Sequence, residues 1–228
     1  MTHASVPHRR SAGSRVVETV VVVVIALAVA ALVRAFVVQA FYIPSGSMEN
    51  TLVPDDRIAV SKLGPLFGSI ERGDVVVFRD PGGWLDSPTA STNPVRRFLE
   101  FVGVAPSSTE GDLVKRVIGV GGDHVVCCDK QGRITVNGVP LEEDYLYPGD
   151  VPSLEEFDVT VPIGSLWVMG DHRSASDDSR AQPKATRFVP EDDVIGRAVA
   201  VFWPIRRWEL LRRPATFADV PDQSAGSG

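Results

Sequence analysis

The sequence is poor in lysine and cysteine. Of its 228 residues, four are lysine and 19 are arginine, so each lysine can be considered singly. The lysines are Lys62, Lys115, Lys130 and Lys184. The two cysteines, Cys127 and Cys128, are adjacent, which excludes a metal site built from two separated cysteine pairs. They form either two free thiols or a redox-labile pair. The net charge of −6 argues against nucleic acid as a partner.

Sequence motifs of the common cofactor and hydrolase sites are also absent. There is no motif for a nucleotide or a metal, and we expect the protein to need no cofactor. There is no G-x-S-x-G elbow and no alternation of strands with helices, which excludes an α/β-hydrolase.

One long apolar run is present near the N-terminus. Between Val16 and Val38 the only interruptions are Glu18, Thr19 and Arg34. As a helix this run spans about 34 Å, against about 30 Å for the hydrocarbon core of a bilayer. The run predicts a transmembrane anchor over residues 16–40.

The flanking charges predict the orientation of this anchor. The leader, residues 1–15, carries three arginines, and no comparable basic cluster follows the run until Arg96 and Arg97. The N-terminus is therefore expected in the cytoplasm of a single-pass protein of the cell membrane, with the remainder outside. A cleaved signal peptide ending at Ala40 is the alternative. Arg34 between the apolar core and that cleavage site favours an uncleaved anchor.

After the run, the periodicity is that of β-strands. Short β-rich segments bounded by Gly, Pro and Asp lie at Asp56–Ser61, Asp74–Phe78, Leu113–Val120 and Ser165–Met169. Asn137-Gly138 between two apolar segments predicts a tight hairpin. We predict an all-β, mostly antiparallel domain over residues 41–215, on a single N-terminal transmembrane helix.

Changes in composition divide this domain further. The predicted core comprises residues 41–82, 108–123 and 163–205, with an inserted loop over 83–107 and an accessory β unit over 124–162. Residues 216–228 have few bulky apolar side chains and are predicted to be a disordered tail. A basic, Trp-containing stretch precedes the tail; it either faces acidic lipid or is an ordinary solvated end. Its residues are Trp203, Arg206, Arg207, Trp208, Arg212 and Arg213.

Ser45 and Ser47 flank a glycine just after the apolar run. A serine hydroxyl needs a neighbouring base to act as a nucleophile. His124 and His172 are candidates, although neither lies in a recognisable serine-hydrolase motif. Lys115 is the other candidate, because strand alternation places it on an apolar face with Leu113 and Val117. Burial there can lower a lysine pKa to about 5–6.

A third segment, Gly170–Arg180, is dense in polar groups. It holds three hydroxyls, three carboxylates and two arginines within eleven residues. In a catalytic site such a loop supplies a hydroxyl that orients the lysine and an Asp–Arg pair that braces the loop.

Together these segments resemble the bacterial type I signal peptidases, membrane-bound serine proteases with a Ser-Lys dyad. The resemblance extends from the anchor to about Pro204 and depends on five ordered blocks. The blocks are Pro44–Leu52, Asp56–Arg57, Arg72–Phe78, Val114–Gly119 with Gly122–Asp123, and Gly170–Arg180. It implies removal of signal peptides from exported preproteins.

The resemblance also implies roles for individual residues. Ser47 corresponds to the nucleophile and Lys115 to the general base. Ser45 corresponds to a hydroxyl that assists the backbone N–H of Ser47 in the oxyanion hole. Ser176 matches the hydroxyl that orients the lysine. Asp178 and Arg180 match a structural ion pair.

Two positions depart from the family pattern. His172 stands where the family commonly has Asn, and we interpret it as a tolerated substitution without the role of base. The adjacent cysteines also differ from the spaced pair of some relatives, so no family disulfide is inferred.

Family substrates have small residues one and three positions before the cut, as in Ala-x-Ala. We expect such a peptide to add as a β-strand between Phe41–Pro44 and Leu113–Lys115. The residues expected to bind it are Phe41, Ile43, Pro44, Met48, Leu113 and Val114. The expected partners are signal peptides of preproteins, membrane lipid and the nearby export translocon, and not nucleic acid.

Two other functions fit part of the pattern. An anchored β-rich binding module would be expected to lack Ser47 or Lys115, and both are present. An autocleaving repressor-like protein with a Ser-Lys pair would be expected to carry a cytoplasmic DNA-binding domain, for which residues 1–15 offer too little chain.

Overall fold

The computed structural model describes residues 17–27, 29, 37–62, 69–85 and 111–222. Residues 17–27 are helical. Among the described residues, no helix is both long enough and apolar enough to span a bilayer. Part of the predicted anchor and most of the predicted loop over 83–107 lie outside this description. The first strand begins at Val38, so the last three residues of the predicted anchor belong to a sheet.

The larger sheet contains eight strands, all paired antiparallel. They are β1 (Val38–Tyr42), β2 (Arg57–Ser61), β3 (Val75–Arg79), β4 (Asp112–Val120), β9 (Ser165–Met169), β10 (Val189–Pro190), β11 (Val194–Trp203) and β12 (Glu209–Leu210). Their order is β1-β2-β11-β3-β4-β9-β10, and β12 pairs with β11. The predicted antiparallel β architecture is confirmed.

The smaller sheet is formed within residues 124–160. Its strands are β5 (His124–Cys127), β6 (Ile134–Val136), β7 (Val139–Pro140) and β8 (Phe157–Thr160), in the order β7-β6-β5-β8. The predicted hairpin is confirmed: Asn137 and Gly138 join β6 to β7 with φ of 52° and 80°, the left-handed values that such a turn requires. Cys127 and Cys128 form a vicinal disulfide, so neither is a free thiol.

The two sheets share one apolar core. Trp167 and Met169 of β9 pack there against Val125 and Ile134 of the smaller sheet. A second core, under β1 and β2, contains Phe41 and other buried side chains. The others are Ile43, Met48, Leu52, Ile58, Val60, Val75, Val77, Ala198 and Val201. This second core supports the segment that carries Ser47.

The prediction of a disordered tail is wrong for residues 216–222. A 3₁₀ turn at Ala215–Phe217 directs Phe217 into the core shared by the sheets, where Val220 is also buried. Arg72 adds a tether, because its Nη1 donates to the carbonyl oxygen of Val220. The packing of these two apolar side chains in the core orders residues 216–222, which are otherwise mostly polar. Residues 223–228 lie outside the described part of the chain.

Candidate active site

Ser47 and Lys115 meet in the interior although they are 68 residues apart. Lys115 lies within β4, opposite Val76 of β3, and Ser47 lies in the loop after β1. The Lys115 Nζ is 2.7 Å from the Ser47 Oγ. Lys115 is only 3% exposed and Ser47 only 8%. A base in direct contact with a hydroxyl, shielded from water, is the arrangement that activates a serine.

The environment of Lys115 favours its neutral form. Burial lowers the pKa of Lys115 from 10.5 to about 8, against the opposing charges of Asp178, Asp177 and Asp171. Arg180 lowers it further. The pKa stays above the 5–6 expected from burial alone because three carboxylates stabilise the ammonium. The amine is neutral for a useful fraction of molecules near pH 8.

Ser45 lies beside the nucleophile candidate. Its Oγ is 3.4 Å from the Ser47 Oγ, and its side chain is exposed at the mouth of the site. The glycine between the serines, Gly46, has no positive φ, so its backbone conformation does not itself require glycine. What it supplies is space: a Cβ there would lie 2.7 Å from the Glu49 Oε1.

Ser176 is near the site, but its hydroxyl forms no hydrogen bond with the lysine. Its Oγ is buried without a well-formed hydrogen bond, although it lies next to the Asp178 carboxylate and helps to keep that pKa low. The predicted orienting bond to Lys115 is therefore not formed in this structure. A Cβ at Gly170 would lie 2.3 Å from the Ser176 Oγ and 2.4 Å from the Ser47 carbonyl oxygen. Only glycine permits this approach.

Asp178 and Arg180 form a bidentate ion pair. The Arg180 Nε and Nη2 each donate to an Asp178 carboxylate oxygen at 2.8 Å. The Gly170 backbone N–H donates to Asp178 at 3.0 Å. Burial raises the pKa of Asp178, but Arg180 and the other donors outweigh this effect and lower it overall. The pair ties both ends of the Gly170–Arg180 loop together beneath Lys115.

A second buried ion pair was missed by sequence reasoning. Arg116 donates from Nε and Nη2 to Asp171 at 2.8 and 2.6 Å, and from Nη2 to the Thr51 hydroxyl at 3.1 Å. It therefore connects β4, the Gly170–Arg180 loop and the nucleophile loop, by which we mean residues 43–56 between β1 and β2, including Ser47. The only sequence signal for this pair was the strand alternation, which places Arg116 on the opposite face of β4 from Lys115.

The accessory unit also contacts the nucleophile loop, and no sequence signal indicated this. The Asn50 side chain donates to the carbonyl oxygens of Tyr145 and Leu146 at 3.1 and 3.0 Å. Glu143 forms a buried ion pair with Arg173 of the Gly170–Arg180 loop. Residues 143–147 therefore support the candidate site from outside the larger sheet.

Neither histidine candidate occupies the position of the base. His124 lies in the smaller sheet, and its Nε2 is 2.6 Å from an Asp158 carboxylate oxygen. His172 contacts two backbone carbonyl groups of the nucleophile loop. Its backbone N–H donates to the Ser47 carbonyl oxygen, and its side-chain Nδ1 is 3.2 Å from the Gly46 carbonyl oxygen. Within the described residues, neither imidazole is bonded to the Ser47 Oγ.

The predicted peptide-binding residues divide by exposure. Phe41, Ile43 and Met48 are at most 3% exposed and belong to the second core. Half-buried Val114 packs against the same core. Half-buried Leu113 and exposed Pro44 complete the set.

The chain is similar to known proteins over most of its length. A family model described as "Signal peptidase, peptidase S26" matches residues 16–203. Signal peptidase I of Mycobacterium tuberculosis (strain H37Rv) is 43% identical over 199 residues, which cover 75% of this chain and 67% of the relative. A probable signal peptidase I of Mycobacterium leprae is 42% identical over 202 residues, covering 74% and 69%. Signal peptidase I of Leptolyngbya laminosa is 36% identical over 179 residues, covering 78% and 75%.

Proposed function

Because the chain belongs to the signal peptidase family, peptidase S26, we propose that it removes signal peptides from exported preproteins with Ser47 as nucleophile and Lys115 as general base. The observation that carries the proposal is the buried contact of 2.7 Å between the Lys115 Nζ and the Ser47 Oγ. Among the described residues, no other base lies as close to the Ser47 hydroxyl as Lys115 does.

The reaction begins when neutral Lys115 accepts the Ser47 proton and the Oγ attacks the scissile carbonyl carbon. The resulting oxyanion accepts hydrogen bonds from the Ser47 N–H and the Ser45 hydroxyl, each such donor being worth about 2.7–4 kcal/mol in rate. The lysine then protonates the leaving amine. Water, deprotonated by Lys115, hydrolyses the acyl-enzyme and regenerates the serine.

The substrate binds as an added β-strand beside β4. Among the described strands, β9 pairs with β4 only from Arg116 onward, which leaves the second edge of residues 112–115 available to a peptide backbone. Val114 and the floor formed by Ile43 and Met48 limit the depth of the side-chain pockets. Shallow pockets favour Ala and other small residues before the cut.

The enzyme acts at the outer face of the cell membrane. In this proposal residues 16–37 anchor the chain, the N-terminus is cytoplasmic, and the peptidase domain lies outside near the export translocon. An exposed apolar patch at the end of β11 supports contact with lipid. Its members are Phe202, Trp203, Ile205, Trp208 and Leu210. Arg207 and Arg213 form ion pairs with Asp56 and Asp74, which fix the chain around this patch and neutralise the charge of both arginines.

The proposal is tested with the full chain in lipid or detergent and a preprotein that carries an Ala-x-Ala site. Ser47→Ala and Lys115→Ala are each expected to reduce processing by at least about 10³-fold. The matched controls Ser174→Ala and Lys130→Ala, which alter exposed residues, are expected to process normally. Normal processing by either Ser47→Ala or Lys115→Ala would show that the dyad is assigned wrongly.

A further inference from the structure

His172 contacts the loop of the nucleophile more closely than a tolerated loop substitution requires. Its backbone N–H donates to the Ser47 carbonyl oxygen at 3.1 Å. Its side-chain Nδ1 is 3.2 Å from the Gly46 carbonyl oxygen. The imidazole is stacked on Tyr147, with ring centroids 4.0 Å apart and planes inclined by 17°. The main chain and the side chain of His172 therefore each bond one of two successive carbonyl groups, those of Ser47 and Gly46.

The Gly46 carbonyl belongs to the same peptide unit as the Ser47 N–H. That unit is planar and trans, so its oxygen and its N–H point in opposite directions. A donor that fixes the Gly46 oxygen also fixes the direction of the Ser47 N–H. The Glu49 backbone N–H donates to the same oxygen at 2.9 Å, and His172 is the second donor. Hydrogen bonds to a carbonyl also polarise its peptide and strengthen the N–H as a donor.

The surroundings hold the imidazole in the orientation and tautomer that this bond needs. The Glu49 Oε2 is 3.6 Å from the His172 Nδ1, which favours the tautomer that carries its proton on Nδ1. Tyr147 covers the ring face, and its own backbone N–H donates to the Asp171 carbonyl oxygen at 3.0 Å. The accessory unit thus fixes the ring against the nucleophile loop.

We propose that His172 is a positioning residue, which aims the Ser47 N–H at the oxyanion by bonding the carbonyl oxygen of the Gly46–Ser47 peptide. This inference rests on the proposed function, since it assigns the Ser47 N–H as an oxyanion donor. His172 touches neither the substrate nor the reacting atoms. Because the oxyanion forms only after attack, loss of His172 lowers kcat and leaves KM nearly unchanged.

The test compares kcat and KM of His172→Ala and His172→Asn in the full chain. His172→Ala is expected to lose about tenfold in kcat, less than the 10²–10³-fold that removal of an oxyanion donor itself costs. His172→Asn is expected to recover most of that loss, because its side-chain N–H can donate to the Gly46 oxygen. The control is His124→Ala in the smaller sheet, for which kcat is expected to stay at the wild-type value.

Two results would overturn the inference. The first is an unchanged kcat in His172→Ala. The second is an equal loss in His172→Ala and His172→Asn with a lower melting temperature, which would assign His172 to packing on Tyr147. Ser47→Ala, measured alongside, distinguishes failure of the proposed function from failure of this inference. Activity retained in Ser47→Ala would overturn the proposed function. An inactive Ser47→Ala together with a fully active His172→Ala would overturn only the role of His172.

Discussion

The Lys115 Nζ lies 2.7 Å from the Ser47 Oγ, and among the described residues no carboxylate forms an ion pair with this lysine. The carboxylates that influence Lys115 act through their charge and accept no hydrogen bond from it among the described residues. For the charged lysine, the cost of burial exceeds the attraction of these carboxylates, so its pKa is lowered. Its burial is therefore a cost to folding that serves the chemistry of the site.

Replacing Lys115 is expected to stabilise the fold at neutral pH. Its pKa is about 8 in the folded state and near 10.5 when unfolded, so below pH 8 the folded protein buries an ammonium. Lys115→Met removes this cost, and we expect a gain of about 3 kcal/mol in unfolding free energy at pH 7. The measurement is denaturant unfolding of the full chain, with Lys130→Met as the exposed control.

The pH dependence of this difference has a definite sign. Between pH 8 and 10.5 the unfolded state of the wild type binds one more proton at Lys115 than the folded state does, so its stability rises with pH. The advantage of Lys115→Met should therefore shrink over that window. A variant less stable than the wild type at pH 7 would contradict the assigned desolvation.

Asp177 offers a way to move the pKa of the base without disturbing the core. Its side chain is exposed, and its charge raises the pKa of Lys115. Asp177→Asn should therefore shift the acid limb of kcat/KM to lower pH by a few tenths of a unit, the size expected for an exposed charge. Asp158→Asn, an exposed change in the smaller sheet, should leave the limb in place. A shift to higher pH would contradict the electrostatics described for the site.

Gly46 lies within the nucleophile loop and Gly170 lies against it, and their replacement should have different effects. A Cβ at Gly170 would meet the backbone oxygen of Ser47 at 2.4 Å, and backbone cannot move cheaply. A Cβ at Gly46 would meet the end of the flexible Glu49 side chain. We expect Gly170→Ala to lose more than about 10²-fold in kcat/KM and Gly46→Ala about tenfold or less. Preprotein cleavage rates for both variants test this order, and equal losses would contradict it.

Much of the larger sheet followed from local pattern. Alternation located β2, β3, β4 and β9 within a residue or two, and it placed Lys115 on a buried strand face. The hairpin turn followed from Asn137-Gly138, because few other pairs tolerate two left-handed conformations in succession. The proximity of Lys115 to Ser47 came from the family resemblance, since periodicity alone gives no distance between segments.

The longest strand, β11, was not predicted from the sequence. Register shifts between Val194 and Gly196 and between Ala198 and Ala200 interrupt its alternation, so no period of two extends along it. The tail was missed for a different reason: among its described residues, 216–222, the core cluster includes only Phe217 and Val220. Composition averages over a segment and does not register two well-placed contacts.

The ion pairs around the site were partly predictable. Asp178 and Arg180 are neighbours in sequence, and their pairing was anticipated. Arg116 and Asp171 are 55 residues apart, so which carboxylate meets the arginine depends on how β4 and the following loop pack. The same holds for Ser176, whose hydroxyl lies beside Asp178 rather than on Lys115.

The most direct test of the Ser47–Lys115 dyad is the pH dependence of kcat/KM for preprotein cleavage by the full chain. With Lys115 as the base, activity should rise with pH to a plateau, with a midpoint at about 8, because only the neutral amine accepts the Ser47 proton. Lys115→Ala should be inactive across the whole range. A midpoint near 6.5, the ordinary value for histidine, together with activity that survives in Lys115→Ala, would contradict the account.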